Sequence, residues 1–291
     1  MESAPVPVLR YAAFASTPHG GNPAGIVLDA SLLDAGAMQR IAAEVGYAET
    51  AFVTEPRIGG DPRRSRLRFF SPGAEVPFCG HATIATAVAL AERQGVGAFD
   101  FETPVGAIRI ETRLTGDTLT AAFTSVEPRV ADLDDGVLDA LLGLLDLDRA
   151  ALHPDYPPLV VFAGNWHPVL VFAERAVFDS FRFDPAAMRD LMDAQGWAGT
   201  VTTLRVITPT EFEARNLFPV GTITEDPATG SAAASVGGYL RRLGLAPATV
   251  VIHQGAHVGR PSVLTVAIPE SGGIVVTGTA VPIDRPAPAA Q

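Results

Sequence analysis

The sequence predicts an α+β fold of two pseudo-symmetric lobes, each a curled, barrel-like mixed β-sheet wrapped around one central α-helix. Three observations predict it. The chain echoes itself at an offset of 150 residues: GYAET at Gly46 to Thr50 returns as GWAGT at Gly196 to Thr200, and the same offset carries Met38 onto Met188, Glu75 onto Glu225, Gly80 onto Gly230 and Ala82 onto Ala232. Each half holds a segment with no acidic residue and no arginine, Gly80 to Ala91 (GHATIATAVALA) and Gly230 to Leu240 (GSAAASVGGYL). A helix that is apolar or small on every side is buried on every side. Around both segments lie short runs rich in β-branched and aromatic residues, bounded by glycine and proline, as strands that enclose a helix would be.

In chain order, AFVTEP, RLRFF, GAIRIE and LTAAF supply strands of the first lobe, around a central helix at about residues 80–93. The second lobe has LVVFA, PVLVF, TLRVIT, TVVIH, SVLTVAI and GIVVTGT, around a central helix at about residues 230–243. Amphipathic patterns at Gly36 to Val45, Leu138 to Leu145 and Pro185 to Gln195 predict outer helices. A second echo pairs GGNPAGIVL from Gly20 with AGNWHPVLVF from Ala163, a Gly-Asn turn before a strand in each half. The polar, turn-forming EPRVADLDDG marks the boundary, giving lobes at 1–127 and 128–291, with a strand at about 279–285 that could cross back to complete the first lobe.

Composition excludes several functions. The 291 residues fit roughly two domains of about 150 residues, and 47% hydrophobic against 18% charged residues argues for a packed globule. A net charge of −11 disfavours nucleic acid and anionic membrane surfaces as partners. All the basic side chains other than histidine are arginines. The absence of lysine removes Schiff-base chemistry and the phosphate-loop lysine. There is no GxSxG and no strand-borne GxGxxG. The lone Cys79 rules out an internal disulfide, the N-terminal segment lacks the pattern of a signal peptide, and no apolar run approaches the roughly 20 residues that span a bilayer. The expectation is a cytoplasmic, membrane-free protein with a frayed RPAPAAQ tail.

The candidate chemistry gathers at the starts of the two central helices. Cys79-Gly80-His81-Ala82 opens one and Thr229-Gly230-Ser231-Ala232 the other, with Cys79 and Thr229 as cap candidates. Small residues leave the unpaired first N–H groups accessible, and the helix dipole favours an anion there, so a small carboxylate is the natural ligand. Good helix-starting residues alone would give the same pattern. Glu49 begins an apolar run, where the second half has Gly199; only one lobe offers this carboxylate. Half-buried, it suits a group that takes and returns a proton; facing solvent at a strand edge, it does nothing. Asp226, in EDPATGS, sits in the loop before the second helix, and His81 in the first turn of the other. Together they could orient a substrate amine or hydroxyl.

Cys79 at a helix start could act as nucleophile or base, but a two-thiol racemase needs a second cysteine and position 229 is threonine. The preferred reading is a small, unreactive cap. His253 and His257 read as strand and turn residues rather than metal ligands, so no metal site is expected, and RNLFPVG near Arg215 is a candidate wall of the site.

Several ordered stretches resemble the PhzF family of phenazine-biosynthesis-like isomerases, which share the diaminopimelate-epimerase fold. They are GNPAG at Gly21 to Gly25, AETAFV around Glu49, FFSPGAEVPFCGHAT ending at Thr83, ETPVG at Glu102 to Gly106, NLFPVGTITEDPATGSAA around Asp226, and HQGAHVGRPS from His253. The resemblance implies a site between two lobes, a homodimer, and cofactor-free isomerisation of a small carboxylate substrate. Glu49 then moves the proton, His81 and Asp226 are its partners, and Gly80, Gly230 and Ser231, with Thr229 beside them, hold the substrate. Two alternatives stay open. One is an amino-acid racemase or epimerase using Glu49 and Cys79 on opposite faces; the other is a small-molecule-binding protein without catalysis.

Overall fold

In the computed structural model, residues 6–220 and 223–283 are described. The chain divides into two compact units, residues 1–123 with 277–291, and residues 124–276. Both are built from mixed sheet and helix, so the molecule is α+β.

The first unit contains β1 (Leu9–Ala13), β2 (Asn22–Val27), α1 (Ala35–Val45), β3 (Glu49–Glu55), β4 (Arg64–Phe70), β5 (Glu75–Val76), α2 (Gly80–Gln94), β6 (Gly97–Thr103), β7 (Gly106–Thr115) and β8 (Thr118–Thr124). β2 pairs antiparallel with β1 and parallel with β3; β3 pairs antiparallel with β4, and β4 parallel with β6. β6, β7 and β8 then follow as an antiparallel meander. The last of the described strands closes the ring by pairing with both β8 and β1.

A parallel pair cannot be joined by a hairpin, so each needs a crossover. α1 makes the β2–β3 crossover outside the sheet. Its apolar stripe, Met38 and Ala42, packs with Val27, Phe52 and Phe70. α2 makes the β4–β6 crossover through the interior and packs against β1, β2, β3 and β7. Every residue of α2 from His81 to Ala91 is buried, which is why that segment carries no formal charge.

The second unit contains β9 (Arg129–Asp132), α3 (Asp135–Leu144), β10 (Leu159–Phe162), β11 (Trp166–Phe172), α4 (Arg175–Ser180), α5 (Pro185–Gln195), β12 (Val201–Thr208), β13 (Glu211–Val220), β14 (Ile223–Asp226), α6 (Gly230–Arg242), β15 (Ala248–Gln254) and β16 (Ser262–Ile268). β17 (Val275–Pro282) is the strand that begins here and ends in the first unit. The plan repeats: β11 and β12 are parallel, as are β13 and β15, and the interior crossover helix is α6, packed against β9, β10, β11 and β16.

The repeated GYAET and GWAGT have a local cause. Gly46 and Gly196 end α1 and α5 in the left-handed region, at φ 71° and 67°, which glycine adopts without steric cost. Asp34 and Asp184 start the same two helices by accepting the amides of Ala37 and Ala187. Among the described residues no helix is long and apolar enough to cross a membrane. Ile283 is the last described residue, so the rest of the strand expected at about 279–285 and the RPAPAAQ tail lie outside the described residues.

Candidate active site

In the first unit three of the expected residues come together. Glu49 is the first residue of β3, set there by the turn that follows α1, and its side chain is 21% exposed. His81, in the first turn of α2, places Nε2 3.5 Å from Glu49 Oε2. Cys79 Sγ lies 3.6 Å from the same oxygen and 3.4 Å from His81 Nδ1. Burial is the dominant influence on His81. It holds the imidazole below its ordinary pKa, outweighing the Glu49 carboxylate and the Pro23 carbonyl, which pull the other way. Burial thus favours the neutral form of the imidazole that faces Glu49.

The first turn of α2 carries no acidic residue of its own; the carboxyl group beside it is that of Glu49, from β3. Cys79 is extended and its side chain makes no cap hydrogen bond. Cys79 stands at the N-cap position expected of it, with its thiol turned toward Glu49 and His81. A Cβ on Gly80 would meet only the Phe78 ring edge at 3.9 Å. Packing therefore does not demand glycine there. A thiol, an imidazole nitrogen and a carboxylate oxygen all within 4.8 Å of one another form a donor set that a thiophilic divalent ion could share.

In the second unit Asp226 ends β14 and accepts a short hydrogen bond from the Thr229 hydroxyl. Thr229 likewise makes no side-chain cap bond to α6. Gln254, at the end of β15, pins this loop: its Nε2 donates to Asp226 O (2.6 Å) and Thr229 Oγ1 (3.0 Å), while its Oε1 accepts the Thr229 amide (3.2 Å). Ser231 Oγ lies 3.1 Å from Nε2 of the buried His167. Gly230 opens α6 between them and is itself buried.

Arg215 turned out to be a buried strut. Its guanidinium pairs with Glu225, donates to Phe178 O at 2.8 Å and stacks 3.6 Å from the centre of the Phe181 ring. His253 bonds Glu211 and His257 bonds Asp179, two separate pairs. Sequence reasoning missed His167 and Gln254. Both lie within quoted motifs, AGNWHP and HQGAHVG, but their partners are far along the chain, 64 residues away for Ser231 and 25 for Thr229.

In the first unit, then, a mixed barrel is threaded by a helix, and a Glu–His–Cys cluster lies where β3 meets the start of that helix. The phenazine biosynthesis-like family model, PhzC-PhzF, matches residues 11–285, and the chain belongs to that family. It is 30% identical over 289 residues to an uncharacterized isomerase, YfhB, of Bacillus subtilis, covering 94% of this chain and 95% of that one. It is 32% identical over 258 residues to the trans-2,3-dihydro-3-hydroxyanthranilate isomerase of Pseudomonas fluorescens, covering 87% and 86%. Among solved structures it resembles a protein of Pseudomonas aeruginosa described as a predicted epimerase, with a TM-score of 0.81, 27% identity, and 98% and 99% coverage.

Proposed function

We propose that the protein is a cofactor-independent isomerase that moves a proton between carbons of a small carboxylate bearing an amine or hydroxyl group. The observation that carries this reading is the half-buried Glu49 carboxyl group lying 3.5 Å from the buried His81 imidazole at the start of α2. Glu49 takes a proton from a substrate C–H bond, the electron pair moves into the substrate's unsaturated system, and the protonated Glu49 returns the proton at another carbon. N–H groups at a helix start stabilise the negative charge that develops. Gly80, at the start of α2, offers its amide to a carboxylate; in the second unit Asp226 offers a partner for an amine or hydroxyl, and Gly230 and Ser231 one for a carboxylate, with Thr229 fixing the Asp226 side chain.

The test uses trans-2,3-dihydro-3-hydroxyanthranilate, the substrate named for the Pseudomonas fluorescens relative, and follows turnover and deuterium uptake in D₂O. Glu49→Gln is expected to lower turnover by about 10² to 10⁴ while the thermal midpoint stays within a few degrees. Wild-type rates in that variant would refute the assignment. Binding with no deuterium uptake by the unmodified chain would leave a binding protein.

Geometry disfavours the racemase that uses Glu49 and Cys79 from opposite faces. Each proton-carrying atom must approach a carbon to about 3–3.5 Å, so the two should stand about 6 Å apart with the carbon between them. Cys79 Sγ is 3.6 Å from Glu49 Oε2.

A further inference from the structure

The second unit has its own occupant of the place that Glu49 takes in the first. At the offset of 150 residues, Gly199 matches Glu49, Thr229 matches Cys79 and Ser231 matches His81. A Cβ on Gly199 would lie 2.6 Å from Cε1 and 2.8 Å from Nε2 of His167, and 2.7 Å from Trp166 O. Only glycine admits the imidazole there.

The ring is fully buried and held at both ends. Nε2 is 3.1 Å from Ser231 Oγ, and Nδ1 lies 3.1 Å from the Thr200 amide nitrogen and 3.0 Å from its carbonyl oxygen. Behind it, the hydroxyls of Thr200 and Thr202 both donate to Asn216 Oδ1 at 2.7 Å, locking the Thr200 side chain. A carboxylate–imidazole pair in the first unit is thus matched by an imidazole–hydroxyl pair in the second. Burial pulls the His167 pKa down to about 4, so the ring stays neutral near pH 7 and is a poor carrier of protons.

We infer that His167 is the positioning residue for Ser231. Resting on the reading of Ser231 as a substrate ligand, this role fixes one tautomer of His167. To donate its only proton to a substrate carboxylate, Ser231 must accept from the ring, so Nε2 carries the ring proton and Nδ1 accepts the Thr200 N–H. The opposite tautomer would donate to the Thr200 carbonyl and turn the Ser231 proton back onto His167.

The experiment has a spectroscopic and a kinetic arm. In ¹⁵N-histidine-labelled full-length protein at pH 7, two-bond ¹H–¹⁵N spectra, assigned with His167→Gln, are expected to show a neutral ring protonated at Nε2. Ser231→Ala should move the Nε2 resonance and leave Nδ1 in place. With trans-2,3-dihydro-3-hydroxyanthranilate as probe, His167→Phe should raise KM about tenfold with kcat within about twofold, the loss of one hydrogen bond to a charged group. Ser231→Ala should do the same, and the double variant should lose no more than either. His167→Gln, which keeps a donor, should recover most of the loss. Gly199→Ala should copy His167→Phe with the imidazole still present, because its methyl displaces the ring.

A ring protonated at Nδ1, an unchanged KM in both His167→Phe and Gly199→Ala, or losses that multiply in the double variant would each overturn the inference. Should the unmodified chain fail to turn over the probe, the isomerase reading falls separately. The spectrum, together with the affinity for anthranilate measured by calorimetry in place of KM, then decides the role of His167 by the same outcomes, and failure of the unmodified chain to bind anthranilate overturns it.

Discussion

Cys79 and Thr229 stand at matching places, extended and just ahead of a buried helix, and neither spends its side chain on capping. One turns to a carboxylate and an imidazole, the other to Asp226. The two buried histidines set a pH dependence at this same scale. His81 and His167 are both held below the ordinary histidine pKa, chiefly by burial. A folded-state value below the unfolded one means that the unfolded chain binds the proton first. The stability each contributes is complete above the unfolded pKa of 6.5 and is lost as pH falls through it, for His167 down to about 4. At 1.36 kcal/mol per pKa unit the His167 loss is about 3 kcal/mol. The urea midpoint should therefore drop between pH 7 and pH 4.5, and drop less in His167→Gln; equal drops would count against the assignment. Glu49 and His81 were legible as candidates because short motifs carry them, and the structure brings their side chains together. His167 was not, because a lone histidine in a Gly-Asn turn acquires meaning only when Ser231, 64 residues on, is brought to its Nε2.

Among the elements, α2 and α6 were the most legible, since a helix enclosed by strands cannot carry charge and the gap in the charge pattern marks its length. The outer helices α1 and α5 showed through their apolar stripes and the glycines that end them. α4 was missed: its 6 residues are too few to display a helical period. The sequence of α6 contains a cost that pattern reading overlooks, a Gly-Gly pair in the middle of a helix. Packing explains it. A Cβ at Gly237 would lie 2.6 Å from Ile274 Cγ2 and 3.0 Å from Val266 Cγ1, and one at Gly238 2.5 Å from Pro128 Cβ. Gly237→Ala gains about 1 kcal/mol of helix propensity and loses about 1–3 kcal/mol to overpacking. A lower urea midpoint is expected in that variant, and a raised one would show that the barrel wall yields.

At the level of the whole chain, the α+β class and its two helix-centred lobes followed from the duplication, but the path of β17 did not. Nothing in GIVVTGT distinguishes a strand that stays in its own unit from one that leaves it. Pairing does so: Tyr11, Ala12 and Ala13 register with Pro282, Val281 and Ala280, and β8 takes the other edge. Gly278 fits there because the Phe14 ring fills the space its side chain would need, with Cδ1 2.1 Å from a Cβ placed on that residue. A chain ending at Val276 is expected to lose hydrogen-exchange protection at the amides of β1 and β8 while β10 to β13 keep theirs. Protection retained in β1 would show that the ring does not depend on its last strand.

That closing strand also orders events on the ribosome. The first barrel is begun before the second unit, yet it cannot be completed until Val275–Pro282 has emerged, so β1 and β8 wait as open sheet edges while the second unit is made. During translation the earliest-made half is thus the last to be sealed, and it is the half that holds Glu49.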